Sequence, residues 1–257
     1  FKMAEKFYQL AIDEGDTNAI HNLALMYASK IKDFRKAEQY YLLAIKVGNV
    51  SALNNLAMLY ERELQEVGKA KQYYLEAGRK GHINAIFNLA LLYEKRCDDI
   101  DNAVRYYLMA ADQGHIRSMT NVALLYQTKL KDFSKAEYYN LRAVEKGDVE
   151  ALNNLAYLYH SELKDMSKAE QYYLMATKHG DTVAMCNLGL LYQTEFKNFL
   201  KAEQCYLMAT RLGDALAMHY LGSLYESEFK DYSKAEQYYL MAGENGNANS
   251  ISDLALL

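Results

Sequence analysis

The sequence predicts an all-α fold, a right-handed α-solenoid of about eight helix-turn-helix units, and three observations predict it. Glycine recurs every 33 residues, at Gly15, Gly48, Gly81, Gly114, Gly147, Gly180, Gly213 and Gly246, with no insertion between copies. Two alanine columns keep fixed register with it, and the 257 residues contain no proline, so nothing interrupts long helical stretches. The period runs through residues 1–257, which read as one array.

Taking the elements in chain order, the first helix of the pattern, helix B, ends at each glycine. Alanine stands eleven residues before the glycine (Ala37, Ala169) and again four before it (Ala44, Ala176), with an aromatic pair such as Tyr40 and Tyr41 between. Buried positions at i, i+3, i+4 and i+7 make one stripe of a helix. The alanines set how closely helices cross, since larger side chains there would overpack at roughly 1–3 kcal/mol per site. The glycine suits a left-handed residue closing helix B, and the Asp or Asn that usually follows (Asp16, Asn49, Asp148) suits the N-cap of the next helix.

That next helix, helix A, has apolar columns at offsets +4, +5, +8, +11 and +12 from the glycine, as in Ala52, Leu53, Leu56, Leu59 and Tyr60. The +12 tyrosines (Tyr27 to Tyr225) can bury the ring and offer the hydroxyl to a polar partner. Helix B is then expected to open with capping boxes at Ser134–Glu137, Ser167–Glu170 and Ser233–Glu236. Lysines such as Lys36 and Lys168, alternating with Glu38 and Glu170, read as a solvated mixed-charge edge.

Composition narrows the function. A formal net charge of −4 and no basic run give no footprint for a phosphate backbone, so no nucleic acid is expected. No apolar run is long enough for membrane insertion. Cys97, Cys186 and Cys205 are too few and too irregular for a disulfide framework or a zinc site, which favours a reducing, cytoplasmic setting. There is no phosphate loop and no His-Glu-x-x-His, so neither an enzyme nor a cofactor is expected.

The columns resemble the Sel1-like repeat, a branch of the tetratricopeptide superfamily. Ala184 to Tyr192 runs A-M-C-N-L-G-L-L-Y, and Asp165 to Gly180 runs D-M-S-K-A-E-Q-Y-Y-L-M-A-T-K-H-G. Tyr or Phe replaces the family's Trp, and the loop between helices A and B lacks the usual glycines, so the unit is about three residues short. The resemblance implies a scaffold or adaptor that holds partner proteins or peptides on the concave side, lined by helix A. It also admits a regulatory region of a larger enzyme or ubiquitin-ligase complex. The carboxylate clamp of some relatives is disfavoured, since its Lys at +6 and Asn at +10 are missing. Some secreted relatives staple their hairpins by disulfides; here a lone Cys186–Cys205 pair reads rather as two free thiols, and Asn49-Val50-Ser51 as a sequon that matters only on secretion.

Candidate contact residues are the helix A positions outside the core. At +10 stand Leu25, Met58, Leu91, Leu124, Tyr157 and Leu190, an apolar stripe that reads either as a groove or as packing between neighbouring helices. The variable +6 column (His21, Asn54, Phe87, Asn153, His219) and +13 column (Glu61, Glu94, Gln127, His160, Gln193) flank it. Asparagine at +7, from Asn22 to Asn187, recurs too strictly for a ligand site and is expected to bond the preceding repeat. The chain begins within a helix B and stops at Leu257 before a tyrosine column. It is expected to be part of a longer protein, the rival reading being head-to-tail self-association through open ends.

Overall fold

The computed structural model describes residues 1–257 as sixteen α-helices without a strand. They form two compact units, Phe1–Val122 and Ala123–Leu257. The first contains α1 (Lys2–Asp13), α2 (Thr17–Met26), α3 (Phe34–Lys46), α4 (Val50–Arg62), α5 (Val67–Arg79), α6 (Ile83–Arg96), α7 (Ile100–Asp112) and the start of α8 (Ile116–Leu125). The second continues from the end of α8 through α9 (Phe133–Glu145), α10 (Val149–Leu158), α11 (Met166–Lys178), α12 (Thr182–Thr194), α13 (Phe199–Arg211), α14 (Ala215–Leu224), α15 (Tyr232–Glu244) and α16 (Ala248–Leu254). Odd-numbered helices are the expected helices B and even-numbered ones the helices A.

Each helix B ends in a Schellman turn. At the close of α9 the Asp148 N–H donates to the Ala143 carbonyl and the Gly147 N–H to the Val144 carbonyl, with Gly147 at φ +84°. The inner alanine column therefore supplies both a small contact and the acceptor that terminates its helix. Asp148 then caps α10 by accepting from the N–H groups of Glu150 and Ala151. His82 and His115 perform the same task in α6 and α8, the ring Nδ1 accepting from Ala85 and Ser118 at 3.2 Å.

The junction from helix A to helix B is built differently. In four hairpins helix A widens into a π-helical turn, at Tyr27–Ile31, Tyr126–Leu130, Tyr159–Leu163 and Tyr225–Phe229. In all seven junctions a non-glycine residue with φ between 50° and 60° follows: Lys32, Gln65, Asp98, Lys131, Lys164, Lys197 and Lys230. The capping boxes expected at Ser134, Ser167 and Ser233 do not form. Asp132, Asp165 and Asp231 cap the helices two residues earlier, accepting from the N–H of Lys135, Lys168 and Lys234 at 3.0–3.1 Å. The serines lie inside the first turn, and their glutamates are released for other partners.

Packing follows the columns. From α3 onward both alanines of every helix B are fully buried, whereas in α1 Ala4 is exposed and Ala11 half-buried. Leu53, Leu56, Leu59 and Tyr60 on α4 are sealed as expected, each such side chain contributing about 1.5–3 kcal/mol. On α12 even a methyl is excluded: a Cβ on Gly189 would stand 2.4 Å from Cε1 of Tyr206.

Candidate partner-binding surface

Side chains that could meet a partner are those left after the repeats have used what they need. The +12 tyrosines are used entirely. Tyr27, Tyr60, Tyr159, Tyr192 and Tyr225 donate their hydroxyls to Glu5, Glu38, Glu137, Glu170 and Glu203 of the preceding helix B. Their rings stack on Tyr40, Tyr73, Tyr172 and Tyr238 of the following one where a tyrosine is present. Lys36, Lys69, Lys168, Lys201 and Lys234 lie 4.7–4.8 Å above the same rings. The lysine and glutamate columns are thus tyrosine partners, and the lysines remain exposed as the sequence suggested. Burial, together with the adjacent carboxylate, raises the pKa of these tyrosines, so the hydroxyls stay protonated donors.

The +6 and +7 columns are used next. Asn88 donates to Asn54 at 2.9 Å, Asn187 to Asn153 at 3.0 Å, and Asn55 bonds the His21 ring at 3.2 Å. Asn121 instead reaches the Tyr107 hydroxyl at 3.2 Å. Four of the six recurrent asparagines therefore bond the preceding repeat, as their regularity implied. The +6 side chains point inward with them: Asn54 and Phe87 are buried, His21, Asn153 and His219 are half-buried, and His219 contacts Ser250 and Asp253. As candidate contact residues these five are mostly spent on the stack.

The +13 column also turns inward. Glu61, Glu94, Gln193 and Glu226 accept from the buried tyrosines Tyr74, Tyr107, Tyr206 and Tyr239 at 2.6–3.0 Å. Gln127 is buried and His160 half-buried, 3.9 Å from Glu195. The sequence hides this role because the column looks variable, yet Glu and Gln share the acceptor oxygen that a buried hydroxyl needs. The signal that carries it is the co-occurrence of Glu or Gln at +13 with tyrosine seven residues before the next glycine.

The +10 column remains. In the first unit Leu25 is 36% exposed while Met58 and Leu91 are half-buried; in the second Leu124 and Tyr157 are 51% and 50% exposed and Leu190 is half-buried. The core columns on the same helices are sealed, whereas Leu25, Leu124 and Tyr157 leave apolar area open, as do Val183 and Leu216 near the starts of α12 and α14 and Leu42, Leu174, Met208 and Leu240 on the helices B. Between α2 and α4 it borders a cleft of about 200 Å³, with Leu25, Met58 and Leu59 as its apolar wall and Tyr41 at its base.

Elsewhere there is little chemistry. No three His, Cys, Asp or Glu side chains converge as a metal set. Cys186 and Cys205 are buried and free, and burial pushes their thiols up to about 12 and about 11. Asn49, the sequon asparagine, is engaged as the N-cap of α4. No helix is long and apolar enough to cross a membrane.

The arrangement is that of a helical-hairpin repeat protein, in which each hairpin buries its stripe only against its neighbours. The family model of the Sel1 repeat matches residues 1–16, 17–49, 50–82, 83–115, 116–148, 149–181, 182–214 and 215–247, and the chain belongs to this family. Among solved structures it is similar to c5321, a protective antigen of uropathogenic Escherichia coli with an SLR fold, at 21% identity and a TM-score of 0.71. That match covers 98% of this chain, which spans 59% of the antigen. A Sel1 repeat protein from Oxalobacter formigenes is 25% identical with a TM-score of 0.62, covering 85% of this chain and 96% of that one. The yeast Tom70 structure matches at 16% identity and a TM-score of 0.63 over 100% of this chain and 58% of its own. No curated protein matches the sequence. Repeats of this family generally mediate protein–protein interaction, on a fold that is typically a non-enzymatic scaffold.

Proposed function

We propose that this chain is a scaffold or adaptor that binds partner proteins or peptides along its helix A surface, and that it does no chemistry of its own. The carrying observation is the +10 column: the +6, +7 and +12 positions are committed to neighbouring hairpins and the +13 position to the tyrosine of its own hairpin, while Leu25, Leu124 and Tyr157 stay open. Exposed apolar side chains repeated at one register on packed helices supply contact area at little ordering cost.

The test uses Leu124→Asp combined with Tyr157→Asp, both at exposed positions. Partner capture should fall at least tenfold while the far-ultraviolet circular dichroism spectrum and thermal midpoint stay close to wild type. Unchanged capture overturns the helix A assignment, and a collapse of helicity shows that the two side chains are core.

A further inference from the structure

The buried tyrosine seven residues before the glycine of its hairpin meets different company from one hairpin to the next. Tyr74 and Tyr107 give their hydroxyls to Glu61 and Glu94. In the hairpin of α2 and α3 the corresponding +13 residue is Ala28, so Tyr41, buried to 2% exposure, has no hydrogen-bond partner in the protein. The missing side chain leaves the cleft described above, and Tyr41 lines it. The Tyr41 ring is buried but its hydroxyl reaches the cleft, unlike that of Tyr173, which is sealed without a partner.

The wall of this cleft is Leu25, Met58 and Leu59, and its rim carries Arg62 and Glu63. Arg62 makes no ion pair, and Lys30 stands exposed on the adjoining turn. In the next hairpin Lys95 is neutralised by Glu94 at 2.5 Å. The cleft therefore combines an apolar wall, a hydroxyl donor that no protein group engages and an exposed guanidinium without an ion pair at its mouth.

Resting on the scaffold reading above, we propose that this cleft is an anchor pocket for an acidic partner segment that presents an aliphatic side chain next to a carboxylate. The aliphatic side chain fills the space where Ala28 replaces glutamate, Tyr41 donates to a carbonyl oxygen of the segment, and Arg62 takes the carboxylate. Glu63 repels a second acid on its side of the mouth and so sets the order of residues in the segment.

The probe is an acetylated, amidated Gly-Leu-Asp-Gly peptide, titrated into the whole chain labelled with ¹³C at the methionine methyls and followed at Met58. A saturable shift of Met58 is expected, with Arg62→Ala weakening binding about tenfold and Glu63→Gln leaving it equal or stronger. Ala28→Glu should abolish the shift while holding or raising the thermal midpoint, because it gives Tyr41 the acceptor that Tyr74 finds in Glu61. A peptide with serine for leucine should not bind. No shift of Met58 up to about 10 mM, or a shift that survives Ala28→Glu, overturns the pocket. These outcomes are separable from the scaffold reading: loss of capture by the Leu124→Asp and Tyr157→Asp variant with a silent Met58 rejects the pocket alone.

Discussion

Both junctions of the repeat place a residue at positive φ, and they do it with different amino acids. Where helix B meets helix A the residue is glycine eight times, with φ from 80° to 92°. Where helix A meets helix B it is lysine five times, glutamine once and aspartate once, with φ from 50° to 60°. The left-handed basin open to L-residues spans about +50° to +70°. The first junction lies outside that basin and the second inside it, so a side chain costs more at the first than at the second. A Cβ at Gly147 would meet no atom within 4 Å, which isolates the cause as backbone conformation and not crowding.

Three measurements put this contrast between the junctions at risk, beginning with the largest effect. Gly147→Ala should destabilise the chain by about 1–2 kcal/mol, read as a lower urea midpoint at unchanged slope. A neutral outcome would mean that the Schellman turn relaxes into the basin of the second junction. Lys164→Asn should act in the opposite direction and stabilise by about 0.5 kcal/mol, since asparagine tolerates φ +56° better than lysine does. A destabilised Lys164→Asn would show that the lysine side chain contributes at the junction beyond its backbone.

The smallest effect concerns the cap that follows the glycine. His115 accepts the Ser118 N–H through Nδ1, which requires the neutral ring. Burial first, and then the nearby Arg117, hold its pKa below the ordinary 6.5. The unfolded chain therefore takes up the proton before the folded one, and the stabilisation is complete above pH 6.5 and lost as pH falls through the folded value. Between pH 7.5 and 5 the wild type should lose about a few tenths of a kcal/mol more than His115→Asn, which caps as Asn49 does without titrating. Equal losses would remove His115 from the pH response.

Much of the fold is legible in the amino-acid sequence. Gly147, Asp148 and the alanines at 136 and 143 announce their roles because a turn, a cap and a close helix crossing each restrict one position to one or two residue types. The expected capping boxes fail for a local reason: Asp165 is the N-cap and accepts the Lys168 N–H, so the helix has already begun at Met166 and Ser167 lies inside its first turn. The site is less legible. Of the expected contact residues only Leu25, Leu124 and Tyr157 stay open, and Ala28, the substitution that creates the cleft, stands as one more change in a variable column.

The period, the helix boundaries and the buried stripes are properties of the sequence, because they follow from the backbone conformation and amphipathicity of single segments. The pairing of Glu137 with Tyr159, 22 residues on, and of Asn54 with Asn88, 34 residues on, belongs to the tertiary structure. A polar side chain on a helix surface is satisfied equally well by water or by a neighbour. Which of the two it meets depends on where the next hairpin stacks, and only the packed hairpins fix that.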